Sequence, residues 1–406
     1  MPERPHALAC FPSPLSYVLV DARTDPEARR CLDLLAAGRQ PESWPASLRG
    51  VQLAVEGDVA SAAACFAGPS LVDRINRFVL APDPADLPGL RTDAPPELLG
   101  LIDAFAFEVG LSDDPPALVA ANGEIAALVL AAQASHAAAT GSPDVAIDLL
   151  RRAAAEASAV SPATQAVMLG TAGMLAAGDP AAATDPVADL TQAVTLLADS
   201  DLAVSAAELH LQLGSVLHER AAAEERPPRE AIHHYQSALQ LIDEASAPYL
   251  WASAHLNLGT AYLVMPMVQA SDQLRVGIAT QSLRSALRVF AKEAHPEQWA
   301  SAQINLANAL VYMPSTHRAD NLVEAVGLYE EVLEHRDGTA DPSGRARLLT
   351  NIGNALAHLG VFEEAKARLV EARYLFETES DLAGVMTVRS ILDEIARETV
   401  PSAVSS

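Results

Sequence analysis

Positive charge is scarce in this chain of 406 residues, and lysine is almost absent. The sequence contains 27 lysine and arginine residues against 52 aspartate and glutamate residues, a formal net charge of −25. Such a field repels nucleic-acid phosphates and anionic lipid surfaces. The only lysines, Lys292 and Lys366, leave the first 291 residues without a lysine for a phosphate-binding loop or a Schiff base. The composition therefore argues against a nucleic-acid partner and against several enzyme classes.

Cysteine is also scarce, and no segment has the character of a membrane span. Cys10, Cys31 and Cys65 form no CxxC pair and are too few to cross-link a chain of this length. Residues 157–178 carry no charge, but they are mostly small and are interrupted by Pro162, which is typical of a buried helix. These features predict a cytoplasmic protein with no membrane partner.

The sequence contains internal repeats. Residues 251–266, WASAHLNLGTAYLVMP, and residues 299–314, WASAQINLANALVYMP, are nearly the same sixteen residues, 48 positions apart. Further copies lie at 210–220 and 348–360, and a weaker one lies at 165–178. Self-similarity at a period of 20–50 residues is typical of an array of stacked units.

Each copy is followed by a second segment in which apolar and alanine residues recur at intervals of three and four. Ala279, Leu283, Ala286 and Phe290 illustrate this pattern, which predicts one apolar stripe along a helix. The unit is therefore a helical hairpin, and prolines or glycines separate successive units. Because one hairpin cannot bury its apolar face alone, the copies must stack.

The last unit, NIGNALAHLGVFEEAKARLVEA, resembles the tetratricopeptide repeat. Gly353, Gly360, Ala365 and Ala372 reproduce that family's spacing of small residues. Three earlier units carry about five to eight extra residues between two signature positions, and this long form resembles a bacterial subtype of the family. The resemblance implies an all-α fold, a right-handed superhelix (α-solenoid) of stacked helical hairpins.

The chain is predicted to contain six segments. In order they are an N-terminal helical region with a degenerate repeat (1–80), a proline-rich linker (81–97), degenerate helical repeats (98–160), the tetratricopeptide-like array (161–380), a C-terminal capping helix (381–399) and a disordered tail (400–406). The degenerate repeat of the first segment is inferred from Gly50 and Ala62, which have the spacing of Gly353 and Ala365. Proline content marks the linker.

Patterns that indicate catalysis or metal binding are missing from the sequence. Adjacent His233 and His234 point to different sides of a helix, so they cannot share a metal ion as an HExxH pair does. No glycine-rich loop follows a strand, and no nucleophile elbow occurs. Carboxylates are scattered over polar helix faces, where solvation accounts for them. The sequence predicts a protein that is not an enzyme and that has no cofactor or metal.

A carboxamide side chain recurs at one position of the repeats. Four such residues are spaced 45, 48 and 46 positions apart, and two more lie three residues further along: Gln212, Asn257, Asn305 and Asn351, then Asn308 and Asn354. The resemblance implies that this position faces the inner groove of the stack. Because a carboxamide both donates and accepts, a ladder of them can bind the backbone of an extended peptide. Alternatively, these side chains only form hydrogen bonds between neighbouring repeats.

Three functional classes stay open at this stage. The first is a protein interaction scaffold whose concave groove holds an extended, neutral or basic segment of a partner protein. The second is a sensor in which a peptide or small ligand changes the superhelix, and the third is an enzyme with an unrecognised site. Trp251 and Trp299 begin equivalent helices and are interpreted as packing anchors between units. The oligomeric state is not determined by these patterns.

Overall fold

The computed structural model of this chain describes residues 17–20, 25–118, 121–178, 185–266, 273–313, 315–335 and 341–399. Within those residues the protein contains nineteen α-helices and no β-strand, which confirms the predicted all-α class. The chain divides into two compact units, Met1–Leu217 and His218–Ser406. Cys10 and the predicted tail at 400–406 lie outside the described residues.

The first unit holds ten helices and most of an eleventh in its described residues. They are α1 (Pro26–Ala36), α2 (Arg49–Val55), α3 (Val59–Cys65), α4 (Leu71–Leu80), α5 (Leu87–Asp93), α6 (Pro96–Glu108), α7 (Gly123–Ala139), α8 (Pro143–Ala157), α9 (Pro162–Gly178), α10 (Pro186–Leu197) and α11 (Ala203–Ala223). Helices α7 and α8 pack as one hairpin, and α9 and α10 as the next. None of the helices in the described chain is long and apolar enough to cross a membrane.

The second unit contains the clearest repeats. Its further helices are α12 (Arg229–Leu241), α13 (Pro248–Leu263), α14 (Gln273–Ala286), α15 (Pro296–Tyr312), α16 (Arg318–His335), α17 (Pro342–His358), α18 (Phe362–Thr378) and α19 (Leu382–Thr399). Helices α13 to α18 pair in sequence as three hairpins, and α13 also contacts α15. Their apolar faces form one core that runs from Ala252 to Ile395.

Proline marks the start of each first helix in these three hairpins. Pro248, Pro296 and Pro342 are the first residues of α13, α15 and α17. A proline loses no hydrogen bond there, because the first N–H of a helix has no partner within the helix. Of the prolines that the sequence pattern places between units, Pro296 and Pro342 therefore begin the following helix.

A glycine–leucine contact closes three of the hairpins. The glycine of the first helix faces a leucine of the second in each pair: Gly173–Leu190, Gly259–Leu283 and Gly353–Leu369. A Cβ atom at Gly259 would lie 2.7 Å from Leu283 Cγ and 3.2 Å from the carbonyl oxygen of Ala279. The close approach predicted from the small residues is thus present. In the hairpin of α15 and α16, Ala307 and Tyr329 are buried instead.

The regions with weaker repeat signals are helical as well. Residues 47–66 contain the short helices α2 and α3, joined at Gly57, whose φ of +87° favours glycine. The proline-rich stretch 81–97, predicted as a linker, contains α5, and Leu87 and Leu90 of this helix are buried. Part of that stretch therefore belongs to the core of the first unit.

Candidate functional site

A cavity of about 480 Å³ lies in the second unit, beside the C-terminal ends of α13 and α15. Its polar wall includes Thr260 of α13 and three asparagines, Asn305 and Asn308 of α15 and Asn351 of α17. We call this space the amide cavity. Its volume is within the range of about 300–1,000 Å³ that is usual for ligand sites. Three of the residues predicted as a groove therefore meet in one place.

The first amide contact joins α15 to α13. Asn305 Nδ2 donates a hydrogen bond to Thr260 Oγ1 over 3.1 Å. The Thr260 hydroxyl in turn donates to the carbonyl oxygen of Leu256, 2.9 Å away, so its oxygen is held in position to accept from Asn305. This contact links two successive hairpins through their first helices.

The second amide contact joins α17 to α15. Asn351 Nδ2 donates to Asn308 Oδ1 over 3.4 Å, and the Tyr329 hydroxyl donates to the same oxygen over 2.6 Å. Burial raises the pKa of Tyr329 well above its usual range, and the neighbouring Tyr312 adds to this effect, so the hydroxyl stays a donor. The Asn308 side chain is thereby held in place by two hydrogen bonds, both accepted by its oxygen.

The hydrogen bonds between repeats use only part of the donors and acceptors of these three asparagines. A carboxamide has two N–H donors and two acceptor lone pairs. Among the described residues, Asn305 and Asn351 each use one N–H, and Asn308 uses only its oxygen. All three side chains are half-buried rather than sealed. These three side chains therefore form hydrogen bonds between repeats and keep further donors and acceptors.

The charge of the amide cavity differs from that of the whole chain. Arg275 is the one charged side chain among its described wall residues, and no carboxylate is among them. The Arg275 guanidinium donates to the carbonyl oxygen of Pro266 over 2.7 Å. The excess negative charge of the chain is thus carried by residues outside the described wall, which itself has no anionic group.

Three of the predicted site residues lie outside the amide cavity. Gln212 belongs to the first unit, where its Nε2 donates to Glu208 of its own helix over 3.3 Å. Asn257 and Asn354 are half-buried in the second unit, but neither is part of the cavity wall. The column of carboxamides is thus a feature of helix register, and only its last two members, Asn305 and Asn351, belong to the cavity wall, together with Asn308.

Several wall residues were missed by the sequence reasoning. The apolar part of the wall consists of side chains that follow the asparagine column: Leu263, Val264, Met265, Val276, Tyr262 and Tyr312. Val264 and Tyr312 are 58% and 64% exposed. One signal pointed to them, because both positions differ between the two nearly identical repeats of sixteen residues. Differences between copies therefore mark the wall better than the shared residues do.

Other candidate chemistry finds little support in the described part of the chain. No group of three histidine, cysteine, aspartate or glutamate residues there could hold a metal ion. The rings of His233 and His234 are 5.6 Å apart and tilted by 60°. Cys31 is buried and Cys65 is exposed, and both are free thiols.

Two of the three tryptophans, Trp251 and Trp299, contact cations from the connection between α14 and α15. The Arg288 guanidinium lies 5.4 Å from the Trp251 ring centroid, and Lys292 Nζ lies 5.2 Å from that of Trp299. Trp299 is buried and Trp251 is half-buried. Since one connection contacts the first helices of two successive hairpins, these contacts favour the interpretation of both rings as packing anchors.

Comparisons with known proteins give only distant structural likenesses. No family model matches the chain, and no curated protein matches its sequence. The crystal structure of the apo form of RapI is 14% identical, with 86% of this chain and 96% of that chain covered and a TM-score of 0.46. A Rap protein complexed with competence and sporulation factor is 13% identical over the same shares, with a TM-score of 0.38. Because both TM-scores are below 0.5, neither likeness decides the function.

Proposed function

We propose that this chain is a non-catalytic cytoplasmic scaffold that binds an extended peptide segment of a partner protein in the amide cavity. The observation that carries the proposal is the convergence of Asn305, Asn308 and Asn351 on one cavity, with hydrogen-bonding capacity left on each. Peptide backbone presents one donor and one acceptor per residue, which is what carboxamides satisfy regardless of side chain. The tetratricopeptide-like spacing of small residues supports the same interpretation.

The wall also indicates what kind of peptide side chain fits. Val264, Met265, Val276 and Tyr312 surround the asparagines with apolar surface. A peptide whose backbone bonds to the amides would place one aliphatic or aromatic side chain against them. Burial of such a side chain is favourable by about 1.5–3 kcal/mol, and the amide contacts fix its register.

The test compares partner capture by the wild-type chain and two sets of variants. The triple variant Asn305→Ala, Asn308→Ala and Asn351→Ala removes the amides of the cavity, whereas Asn354→Ala removes a half-buried asparagine outside it. Partners are captured from cell extract, identified by mass spectrometry, and narrowed to a peptide segment. We expect the triple variant to lose the segment and Asn354→Ala to keep it. Equal retention by both folded variants would refute the proposal.

Binding of a small ligand is the second candidate. The cavity volume of about 480 Å³ also suits a molecule of that class. Native mass spectrometry of the purified chain distinguishes the two candidates, because a retained small molecule would appear as a fixed mass that the triple variant lacks. If such a mass is found, the function that we propose is that of a small-ligand sensor instead of a scaffold.

A further inference from the structure

A second cavity adjoins the amide cavity within the second unit. It has a volume of about 460 Å³, and its wall includes Glu225, Arg226, Pro228 and Val264. We call it the proline cavity. Val264 belongs to the walls of both cavities and is 58% exposed. An extended ligand that leaves the amide cavity across Val264 therefore enters the proline cavity.

Glu225 occupies an unusual backbone position in that wall. Its φ is +53°, in the left-handed region that residues other than glycine rarely adopt. The position ends α11, where the Arg226 N–H bonds to the carbonyl oxygen of Ala221 over 2.8 Å and the Glu225 N–H to that of Ala222 over 3.2 Å. Glycine is the usual residue at this point of a helix end. A glutamate is therefore less stable here than a glycine would be, and this glutamate belongs to the cavity wall.

The other titratable groups of the proline cavity leave Glu225 as its uncompensated charge. Arg226 forms an ion pair with Glu224 over 2.5 Å. Burial lowers the pKa of His218, so this ring is neutral near pH 7. Among the described residues Glu225 has no ion pair. The cavity therefore presents one carboxylate that a cation could pair with.

We propose that Glu225 binds a cationic group of the same peptide whose backbone occupies the amide cavity. The group is either the N-terminal ammonium or a lysine or arginine side chain. This inference rests on the proposed function, and it adds the path of the peptide from the amide cavity to the proline cavity and one cationic group that the peptide must carry. Glu225 ends α11 and Asn305 lies on α15, and Val264, which follows α13, belongs to both cavity walls. Two helix spacings of about 9 Å, at about 3.3 Å per extended residue, place the cation about five residues from the backbone group at Asn305.

The probe is a set of synthetic heptapeptide mixtures with neutral residues at random positions and an amidated C-terminus. In one series a lysine is placed at each position in turn, with glutamine at the same position as the control. Each series is made with a free and with an acetylated N-terminus, which distinguishes the two sources of the cation. Binding is measured by fluorescence anisotropy with the full chain. We expect the cationic peptides of one register to bind at least five times more tightly than their neutral counterparts.

Two variants of Glu225 and one neighbouring control decide the inference. Glu225→Gln removes the charge, and Glu225→Gly removes the carboxylate while relieving the left-handed strain, so its melting temperature should rise. Both should reduce the cationic preference to less than twofold and leave the affinity for neutral peptides unchanged. Glu224→Gln should keep the preference.

The outcomes separate this inference from the proposed function. If peptides bind and the triple asparagine variant abolishes binding, but the cationic preference is absent or survives Glu225→Gln, the inference is wrong and the proposed function stands. If no mixture binds, or if the triple asparagine variant binds as well as the wild type, both are wrong. Loss of the preference at 0.5 M salt in the wild type, with no salt effect in Glu225→Gln, would support the pairing.

Discussion

Helices α13 and α15 lie largely within the nearly identical stretches 251–266 and 299–314, yet they contribute differently to the candidate site. In both, a tryptophan near the start of the helix contacts a cation from the connection that follows α14. Beyond this shared start, Thr260 of α13 corresponds to Asn308 of α15, and Val264 corresponds to Tyr312. These four residues all belong to the wall of the amide cavity. Divergent positions thus shape much of the cavity wall, to which the shared position of Asn305 also belongs.

The same comparison applies to the hairpin contacts. Gly259 of α13 faces Leu283, whereas Ala307 and Tyr329 are the buried residues at the corresponding places of α15 and α16. The hydroxyl of Tyr329 donates a hydrogen bond to Asn308. Leu283 has no hydroxyl, so α13 needs no acceptor at the corresponding position. The difference between Leu283 and Tyr329 on the second helices therefore accompanies the presence of Asn308 on α15.

The largest expected effect on stability comes from a substitution that makes α13 like α15 at the hairpin contact. Gly259→Ala places a Cβ atom 2.7 Å from Leu283 Cγ, and the backbone oxygen of Ala279 at 3.2 Å limits any shift. We expect a loss of about 2 kcal/mol in the free energy of unfolding, measured by urea denaturation. The reverse change, Ala307→Gly, should cost about 1 kcal/mol or less.

The control for this effect is a compensating change on the second helix. Leu283→Ala removes the leucine that the new methyl group meets, so Gly259→Ala should cost less in that background. Equal costs in both backgrounds would show that the glycine is required for another reason.

The next effect concerns the acceptor for the buried tyrosine. Asn308→Ala leaves the hydroxyl of Tyr329 without its partner at a site where the tyrosine is 1% exposed. Unfolding free energy should fall by about 1.5 kcal/mol. In a Tyr329→Phe background the same substitution should cost clearly less, and Asn354→Ala should cost little in either. A cycle with no coupling between Asn308 and Tyr329 contradicts the assignment.

A smaller expected effect is a dependence of stability on pH, which distinguishes α13 from α15. Burial, with the charge of Arg288 added, lowers the pKa of His255 from 6.5 to about 4, and Gln303 takes its place in α15. The unfolded chain then binds a proton more tightly than the folded one, so this histidine reduces stability as the pH falls from 6.5 towards 4. Between pH 7 and 5 the change should be about 1 kcal/mol, allowing for solvent exposure.

The variant His255→Gln makes α13 like α15 at this position. Its free energy of unfolding should vary less over the same pH range than that of the wild type. Parallel curves for the two proteins would show that His255 is not held neutral by its surroundings.

The smallest effect on stability concerns the contact between the two helices. Asn305→Ala and Thr260→Val both remove the 3.1 Å hydrogen bond, and each should cost about 0.5 kcal/mol. The double variant should cost less than the sum of the two, because the bond can be lost only once. Additive costs in urea denaturation would mean that the bond contributes nothing.

The hairpins were predictable from the sequence, because their signals are local. Gly259 and Gly353 stand where a side chain would meet the partner helix, and the apolar stripe through Ala279 and Leu283 gives the second helix its buried face. Both signals depend only on helical periodicity, which short stretches of sequence display. The long N-terminal region lacks such copies, and the buried leucines of α5 within the proline-rich stretch 81–97 were not anticipated.

The site was predictable only in part, because periodicity places residues on a face without showing which faces meet. Asn305 and Asn351 were found from their common register, yet Asn257 shares that register and lies outside the cavity wall. Asn354, which has the register of Asn308, lies outside the wall as well. The cavity forms where the ends of α13 and α15 meet the start of α14, a contact between segments distant in sequence. Val264 could be found only by comparing the copies with each other.

Photo-crosslinking at Tyr312 tests most directly whether a peptide occupies the amide cavity. A photoreactive benzoyl-phenylalanine replaces Tyr312, which is 64% exposed in the cavity wall, or Tyr374, which is 67% exposed on α18 and outside that wall. After irradiation with partner protein from cell extract, crosslinked fragments are identified by mass spectrometry. The account predicts one extended partner segment attached at position 312 and none at position 374. Crosslinking at position 374 alone, or equally at both, would contradict it.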